Sequence, residues 1–177
     1  VLTASKTSVS ASYRRGEVLT YAVSITNSGA APFDGLTVTD DLGAYTVGNT
    51  TAIPLTFTGD PVLYYVNGAL QASPTVAAGP PLVISGISVP AGGNVLLVYR
   101  ATVNDYAAPG EGGSVVNTVT VSGGGLTEAV TATETVTADT AALLGITKAL
   151  NPTVVAENGQ IVYTFTIQNT GAESADA

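Results

Sequence analysis

The sequence predicts an all-β fold, an immunoglobulin-like β-sandwich followed by the first two strands of a second copy of the same unit. Three observations support this fold class. Hydrophobic residues make up 45% of the 177 residues and charged residues only 10%, and the small polar residues that replace them suit strands with one face in solvent. Apolar and polar residues alternate with a period of two. Turn residues separate the alternating segments at short spacing.

The strands of the first unit can be placed in order along the chain. The clearest alternation spans residues 17–27, where the odd positions from 19 to 25 are hydrophobic, and an Asn-Ser-Gly turn ends it. Asn67-Gly68 predicts a hairpin, because both turn residues accept a positive φ angle. The other strands predicted for this unit span residues 36–40, 62–66, 69–72, 82–89, 95–103, 115–121 and 128–137.

An internal repeat divides the chain into two predicted units. Seven residues recur at a constant offset of 142 positions. Lys6, Tyr21, Ile25, Asn27, Gly29, Ala30 and Asp34 recur as Lys148, Tyr163, Ile167, Asn169, Gly171, Ala172 and Asp176. We therefore expect residues 1–140 to form a complete sandwich and residues 141–177 to begin an incomplete second copy. Its two strands are predicted at 144–150 and 160–169, with a link at 139–143.

The composition argues against several classes of function. A net charge of −8 is unsuited to a nucleic-acid surface. The chain has no cysteine and no histidine, which removes disulfides, the usual zinc sites and the commonest general base. We therefore expect no cofactor, no metal site and no enzyme with turnover. No apolar stretch has the length of a transmembrane helix, so no direct membrane insertion is expected.

Lysine marks one position of the repeat, since Lys6 and Lys148 are the only lysines of the chain. A residue type this rare, present at the same place in both copies, indicates a chemical role. Successive side chains of a strand point to opposite faces. On this parity both lysines, Asp40 and Asn117 point into the core with their apolar neighbours. Buried charges are costly, so such groups pair or change protonation state.

A buried lysine, acid and asparagine have a specific reaction open to them. Desolvation lowers the pKa of a lysine and raises that of an acid, so a neutral amine and a neutral carboxylic acid can coexist. The amine of Lys6 would then attack the side-chain carbonyl carbon of Asn117, while protonated Asp40 polarises that carbonyl and ammonia leaves. The product is an isopeptide cross-link, formed once per molecule.

Other interpretations of the same residues stay open. The group could be a buried Lys6–Asp40 ion pair with Asn117 satisfying the remaining hydrogen bonds. A strand assignment slipped by one residue would instead leave Lys6 in solvent. Asp41 adjoins Asp40 as a rival acid, although parity favours Asp40. The scattered aspartates also suggest calcium binding, but they lack the Asp-x-Asp-x-Asp-Gly spacing that would support it.

Three segments of the sequence resemble a known repeat. They are GEVLTY leading to NSG in residues 16–29, LTVTDDL in residues 36–42 and VNTVTV in residues 116–121. This pattern resembles a tandem repeat of unknown function in bacterial surface proteins, over residues 2–138 and again from 144. Such repeats are similar to the isopeptide-forming immunoglobulin-like domains of Gram-positive adhesins and pilins. Those domains use an early lysine, a later acid and an asparagine near the last strand, an order that Lys6, Asp40 and Asn117 match.

The resemblance implies an extracellular protein, on the cell surface or associated with the cell wall. The first expected function is a structural module of a surface protein or fibre, whose partners are copies of itself or adjacent tandem repeats. The second is a filament subunit in which residues 144–169 complete a neighbour's sheet, with Lys148 available for a cross-link to another chain or to the next repeat. The third is an adhesin or carbohydrate-binding domain that holds its ligand in loops at one end.

Overall fold

The computed structural model describes residues 1–141, 144–151, 157–169, 171, 174 and 175. These residues contain strands and connecting segments without a helix, which confirms the predicted all-β class. The strands are β1 (Leu2–Ser8), β2 (Ser12–Tyr13), β3 (Val18–Asn27), β4 (Phe33–Asp40), β5 (Tyr45–Val47), β6 (Thr50–Ala52), β7 (Leu55–Phe57), β8 (Leu63–Val66), β9 (Ala69–Leu70), β10 (Thr75–Ala77), β11 (Leu82–Val89), β12 (Asn94–Val103), β13 (Ser114–Gly123), β14 (Val130–Ala138), β15 (Leu144–Asn151) and β16 (Val162–Asn169).

Two six-stranded sheets form a sandwich around one hydrophobic core. In the first sheet the strands lie in the order β1-β3-β12-β8-β9, and β7 also pairs with β12. In the second sheet the order is β10-β11-β4-β13-β14-β2. The β5–β6 and β15–β16 pairs form two separate two-stranded sheets. β1 is therefore an edge strand, whereas β4 and β13 are neighbours in the middle of the second sheet.

The alternation along β3 explains how this strand packs. Leu19, Tyr21, Val23 and Ile25 are at most 1% exposed, while the residues between them are only half buried. Burying each such side chain contributes about 1.5–3 kcal/mol, and a slip of one residue would move the whole set to the solvent face. Inward-facing residues of β4, β11, β12 and β13 supply most of the remaining core.

The longer strands agree with their predicted positions. β11 has the predicted bounds, and β3, β4, β12, β13 and β14 begin and end within a few residues of theirs. The Asn67-Gly68 hairpin is also confirmed, because these residues have φ angles of 48° and 81° and connect β8 to β9. The sequence pattern missed β2, β5, β6, β7 and β10. Strands of two or three residues are too short to show alternation, and they form only where the chain passes another strand.

The β15–β16 pair repeats the register of β1 with β3. Lys148 lies opposite Phe165 as Lys6 lies opposite Val23, at the offset of 142 positions. Both strands are exposed along their whole length. Lys148 is exposed, because within the described part of the chain no second sheet covers this pair. Positions 142 and 143 of the predicted link lie outside the described residues, and so do two of the seven recurring residues, Ala172 and Asp176.

Candidate functional site

Lys6, Asp40 and Asn117 converge in the core from three strands. Their exposed fractions are 4%, 1% and 0%. Lys6 comes from β1 of the first sheet, whereas Asp40 and Asn117 come from the adjacent strands β4 and β13 of the second. The site therefore spans the space between the sheets. The alternative that places Lys6 in solvent is wrong.

Lys6 and Asp40 form a buried ion pair. The lysine Nζ lies 2.6 Å from Oδ2 of Asp40. The other carboxylate oxygen, Oδ1, accepts a hydrogen bond from the backbone N–H of Leu42 at 2.7 Å. The Tyr99 hydroxyl donates to Oδ2. These contacts fix the orientation of the carboxylate, with Oδ2 directed at the amine.

The amide of Asn117 lies beside the same carboxylate oxygen. Its Nδ2 is 3.5 Å from Oδ2 of Asp40, which is the outer limit of a hydrogen bond. Its Oδ1 is buried and accepts no hydrogen bond from the described residues. An amine, an acid and an amide thus meet around one oxygen atom, Oδ2 of Asp40.

Burial is the main electrostatic influence on Lys6, and it lowers the pKa of the amine below the ordinary value of 10.5. The Asp40 carboxylate acts in the opposite direction, with smaller contributions of the same sign from Asp41 and Glu134. The net direction is downward. The neutral amine, which is the form that can act as a nucleophile, is therefore easier to reach than in a solvated lysine.

Two tyrosines face the amine of Lys6. Its Nζ lies 4.7 Å from the ring centre of Tyr21 and 5.7 Å from that of Tyr99, and the two rings stack with their centres 6.1 Å apart. Burial raises the pKa of both hydroxyls above the ordinary value, so both stay protonated at neutral pH. The sequence marked Tyr21 only as a repeat position and missed Tyr99, although parity on β12 places Tyr99 on the inner face.

Glu134 is a further acid near the site that the sequence analysis missed. It lies opposite Asn117 in the pairing of β13 with β14. Its Oε1 accepts a hydrogen bond from the backbone N–H of Ser8 at 3.2 Å, which fastens β1 against β14. Parity could have identified it, because Glu134 shares the inner face of β14 with Val136.

Asp41 has a different role from Asp40. Its Oδ1 accepts hydrogen bonds from the backbone N–H groups of Gly43 and Thr118, at 2.9 and 3.0 Å. Asp41 therefore shapes the turn after β4 and joins it to β13. Of the two adjacent acids, Asp40 is the one in contact with Lys6.

Other aspartates are engaged at the surface. Asp60 pairs with Arg100 and Asp139 pairs with Arg14, each at 2.6 Å. Among the described residues, no group of three or more His, Cys, Asp or Glu side chains is placed to hold a metal ion. The same part of the chain holds no helix with the length and apolar character needed to cross a membrane.

Comparison with known proteins relates this sandwich to pilins. No family model and no curated protein matches the sequence. Among solved structures, a variant of BcpA, the major pilin subunit of Bacillus cereus, aligns with a TM-score of 0.63 and 12% identity over 97% of this chain and 56% of that chain. The full-length major pilin SpaD from Corynebacterium diphtheriae aligns with a TM-score of 0.56 and 16% identity, over 91% of this chain and 39% of that chain.

The pilus backbone protein RrgB from Streptococcus pneumoniae is a third similar structure. It aligns with a TM-score of 0.50 and 15% identity, over 69% of this chain and 31% of that chain. The present chain thus spans less than two thirds of each of these pilins. Identities this low show the fold alone. At that level the predicted similarity is confirmed, and the chain shares the β-sandwich fold of Gram-positive pilin backbone proteins.

Proposed function

We propose that this chain is a structural module of an extracellular fibre or surface protein, braced by an isopeptide bond between Lys6 and Asn117 that Asp40 promotes. The observation that carries the proposal is the buried Lys6–Asp40 ion pair, with the Asn117 amide 3.5 Å from the same carboxylate oxygen. The pilin-like fold supports the extracellular structural role.

The reaction exchanges one amide for another and needs no outside reagent. Lys6 first passes a proton from Nζ to Oδ2 of Asp40 across their contact of 2.6 Å. The neutral amine attacks Cγ of Asn117, and the new C–N bond forms while protonated Asp40 hydrogen-bonds the carbonyl oxygen. A second proton moves from Nζ to Nδ2, the Cγ–Nδ2 bond breaks and ammonia leaves. Asp40 ends protonated, so the reaction removes both buried charges, which favours the product.

The bond would join the two sheets covalently. Among the described strands, β1 pairs within its sheet with β3 alone. A link from Lys6 to Asn117 would fasten this edge strand to β13 in the opposite sheet. Positions 6 and 117 close a loop of 111 residues. By analogy with disulfides that close loops of this length, the stabilisation is about 4–5 kcal/mol. A force that peels β1 from β3 would then act on a covalent bond.

Intact mass spectrometry of the folded protein tests the proposal. Wild-type protein should be lighter than its sequence mass by one ammonia. Lys6→Ala and Asn117→Ala should each have the full mass of their own sequence. A wild-type protein at full sequence mass would contradict the cross-link and leave the buried ion pair as the interpretation of the site.

A filament subunit assembled by strand addition is the second candidate function. The exposed apolar residues of β15–β16 favour it, since Ile146, Phe165 and Ile167 are 68%, 58% and 68% exposed. Exposed apolar strands are a common site of pairing with another chain. A neighbour's sheet would cover this face as the second sheet covers β1 and β3. Concentration-dependent assembly that requires residues 144–169 would support this function.

A further inference from the structure

Two buried polar atoms beside the proposed bond complement each other. The Tyr21 hydroxyl and Oδ1 of Asn117 are both buried, and neither has a hydrogen-bond partner among the described residues. The first can donate a proton and the second can accept one. Buried polar groups are nearly always satisfied, so two complementary exceptions at one site point to a role in its chemistry.

Both side chains border the Lys6–Asp40 ion pair. The ring centre of Tyr21 lies 4.7 Å from Nζ of Lys6, and Nδ2 of Asn117 lies 3.5 Å from Oδ2 of Asp40. Burial raises the pKa of the Tyr21 hydroxyl, and the Asn117 amide offsets part of that rise. The Asn117 amide and Tyr21 are therefore placed around the same pair of reacting groups.

The protonation state of Asp40 decides whether Nδ2 or Oδ1 of the Asn117 amide faces its carboxyl group. Ionised Asp40 accepts hydrogen bonds, so Nδ2 of Asn117 faces it. Once Asp40 holds the proton of Lys6 it becomes a donor, and Oδ1 is the atom that suits it. A half-turn of the amide about its Cβ–Cγ bond would direct Oδ1 to the O–H group of Asp40, and the unpaired Tyr21 hydroxyl is a second donor available at the site.

We propose that Tyr21 is a catalytic residue of this cross-linking reaction, whose hydroxyl is the second donor, beside protonated Asp40, to the carbonyl oxygen of Asn117. The inference rests on the proposed isopeptide bond. As Lys6 attacks, negative charge develops on that oxygen, and hydrogen-bond donors aimed at it stabilise the transition state. A tyrosine paired with a neutral aspartic acid is an established form of oxyanion hole.

The contacts of the two tyrosines distinguish their roles. Tyr99 donates its hydroxyl proton to Asp40, whereas the proton of Tyr21 is available to Asn117. A tyrosine also accompanies the lysine in the second pair of strands, where Nζ of Lys148 lies 4.1 Å from the ring centre of Tyr163. A tyrosine at the position of Tyr21 therefore accompanies the lysine in both copies of the repeat.

A time course of bond formation tests the role of Tyr21. The full chain is made by cell-free translation and quenched at intervals, and intact mass gives the fraction that has lost ammonia. Tyr21→Phe keeps the ring beside Lys6 and removes only the hydroxyl, and we expect bond formation to slow by about 100-fold. Tyr13→Phe is the matched control, because Tyr13 is equally buried but donates to the backbone oxygen of Ala108, at 2.5 Å, outside the site. Its rate should be unchanged.

A further comparison separates catalysis from packing. In an Asn117→Ala background, Tyr21→Phe should not lower Tm, since the hydroxyl that it removes makes no hydrogen bond with the described residues. An unchanged rate in Tyr21→Phe, equal slowing in Tyr13→Phe, or a lower Tm in the Asn117→Ala background would each overturn the role of Tyr21. Wild-type protein that never loses ammonia would overturn the cross-link itself.

Discussion

Nζ of Lys6 and Oδ2 of Asp40 meet between the two sheets at 2.6 Å, with both side chains sealed from solvent. The carboxylate is well satisfied, because Tyr99 and the backbone of Leu42 also donate to it. The amine instead lies against two aromatic rings. Burying an ion pair costs the desolvation free energy of both ions, a cost that a pair at the surface does not carry. A reaction that removes both charges offers a physical reason for the arrangement.

Loss of the cross-link should destabilise the fold strongly. Asn117→Ala is expected to lower the free energy of unfolding by about 4–5 kcal/mol, because the unfolded chain regains the entropy of an open loop. Chemical denaturation of wild type and variant measures the difference. Thr120→Ala, on the outer face of the same strand, is the control and should have little effect. Equal losses in the two variants would contradict a covalent brace.

Asp40→Asn should abolish the bond while keeping the shape of the side chain. An amide cannot take the proton of Lys6, so the variant is expected at full sequence mass. It should also be less stable than Asn117→Ala by about 3–5 kcal/mol, because the buried ammonium loses its partner. Asp41→Asn is the matched control and should still lose ammonia, since Asp41 holds a turn. Cross-linked Asp40→Asn protein would show that another group promotes the reaction.

The pKa of Lys6 predicts a pH dependence in protein that cannot form the bond. In Asn117→Ala, burial keeps the pKa of Lys6 below 10.5 in the folded state, whereas the unfolded chain has the ordinary value of 10.5. Between these two values the unfolded chain binds more protons, so the contribution of Lys6 to the free energy of unfolding rises with pH.

Comparison with Lys6→Met in the same Asn117→Ala background separates the contribution of Lys6 from those of the tyrosines and acids, because both proteins contain all of these other groups. The stability of the lysine protein relative to the methionine protein should increase as the pH approaches 10.5. Denaturation midpoints of both proteins across the window measure it. A constant difference would contradict a lowered pKa for Lys6.

Truncation after Thr140 should leave the sandwich intact. The β15–β16 pair forms its own sheet and lends no strand to the two large sheets, so Tm of the truncated protein should match that of the full chain. Light scattering then compares self-association. Assembly that is lost on truncation, and reduced by Phe165→Ser, would support strand addition. Assembly that survives truncation would exclude it.

Lys6→Ala should remain monomeric on a denaturing gel if the chain is a module of a tandem array. Lys148 is exposed and already lies opposite Phe165 in its own pair of strands. A covalent dimer of Lys6→Ala would instead show that Lys148 of one chain reacts with the vacant Asn117 of another. Lys6→Ala combined with Lys148→Ala is the control that should remove such a dimer.

Much of the site could be predicted from the sequence, because the direction of a strand side chain follows from its odd or even position along the strand. Asp40 and Asn117 stand out as polar residues on apolar faces, and each strand shows this by itself. Tyr99 and Glu134 escaped for different reasons. A tyrosine on an inner face is indistinguishable from core filling until its hydroxyl is seen to reach Asp40. Parity places Glu134 on the inner face of β14, but only the pairing of β13 with β14 shows that it lies opposite Asn117.

The sequence by itself determined the fold class, the long strands and the inward direction of Lys6, Asp40 and Asn117, because the direction of a strand side chain is a local property. Only the tertiary structure decided which inward groups meet. Asp40 and Asn117 are 77 residues apart, and their contact depends on sheet order and register. The same distinction separates the two lysines. Lys148 has the parity of Lys6 but is exposed. Burial requires a second sheet over that face, whereas parity gives only the direction of the side chain.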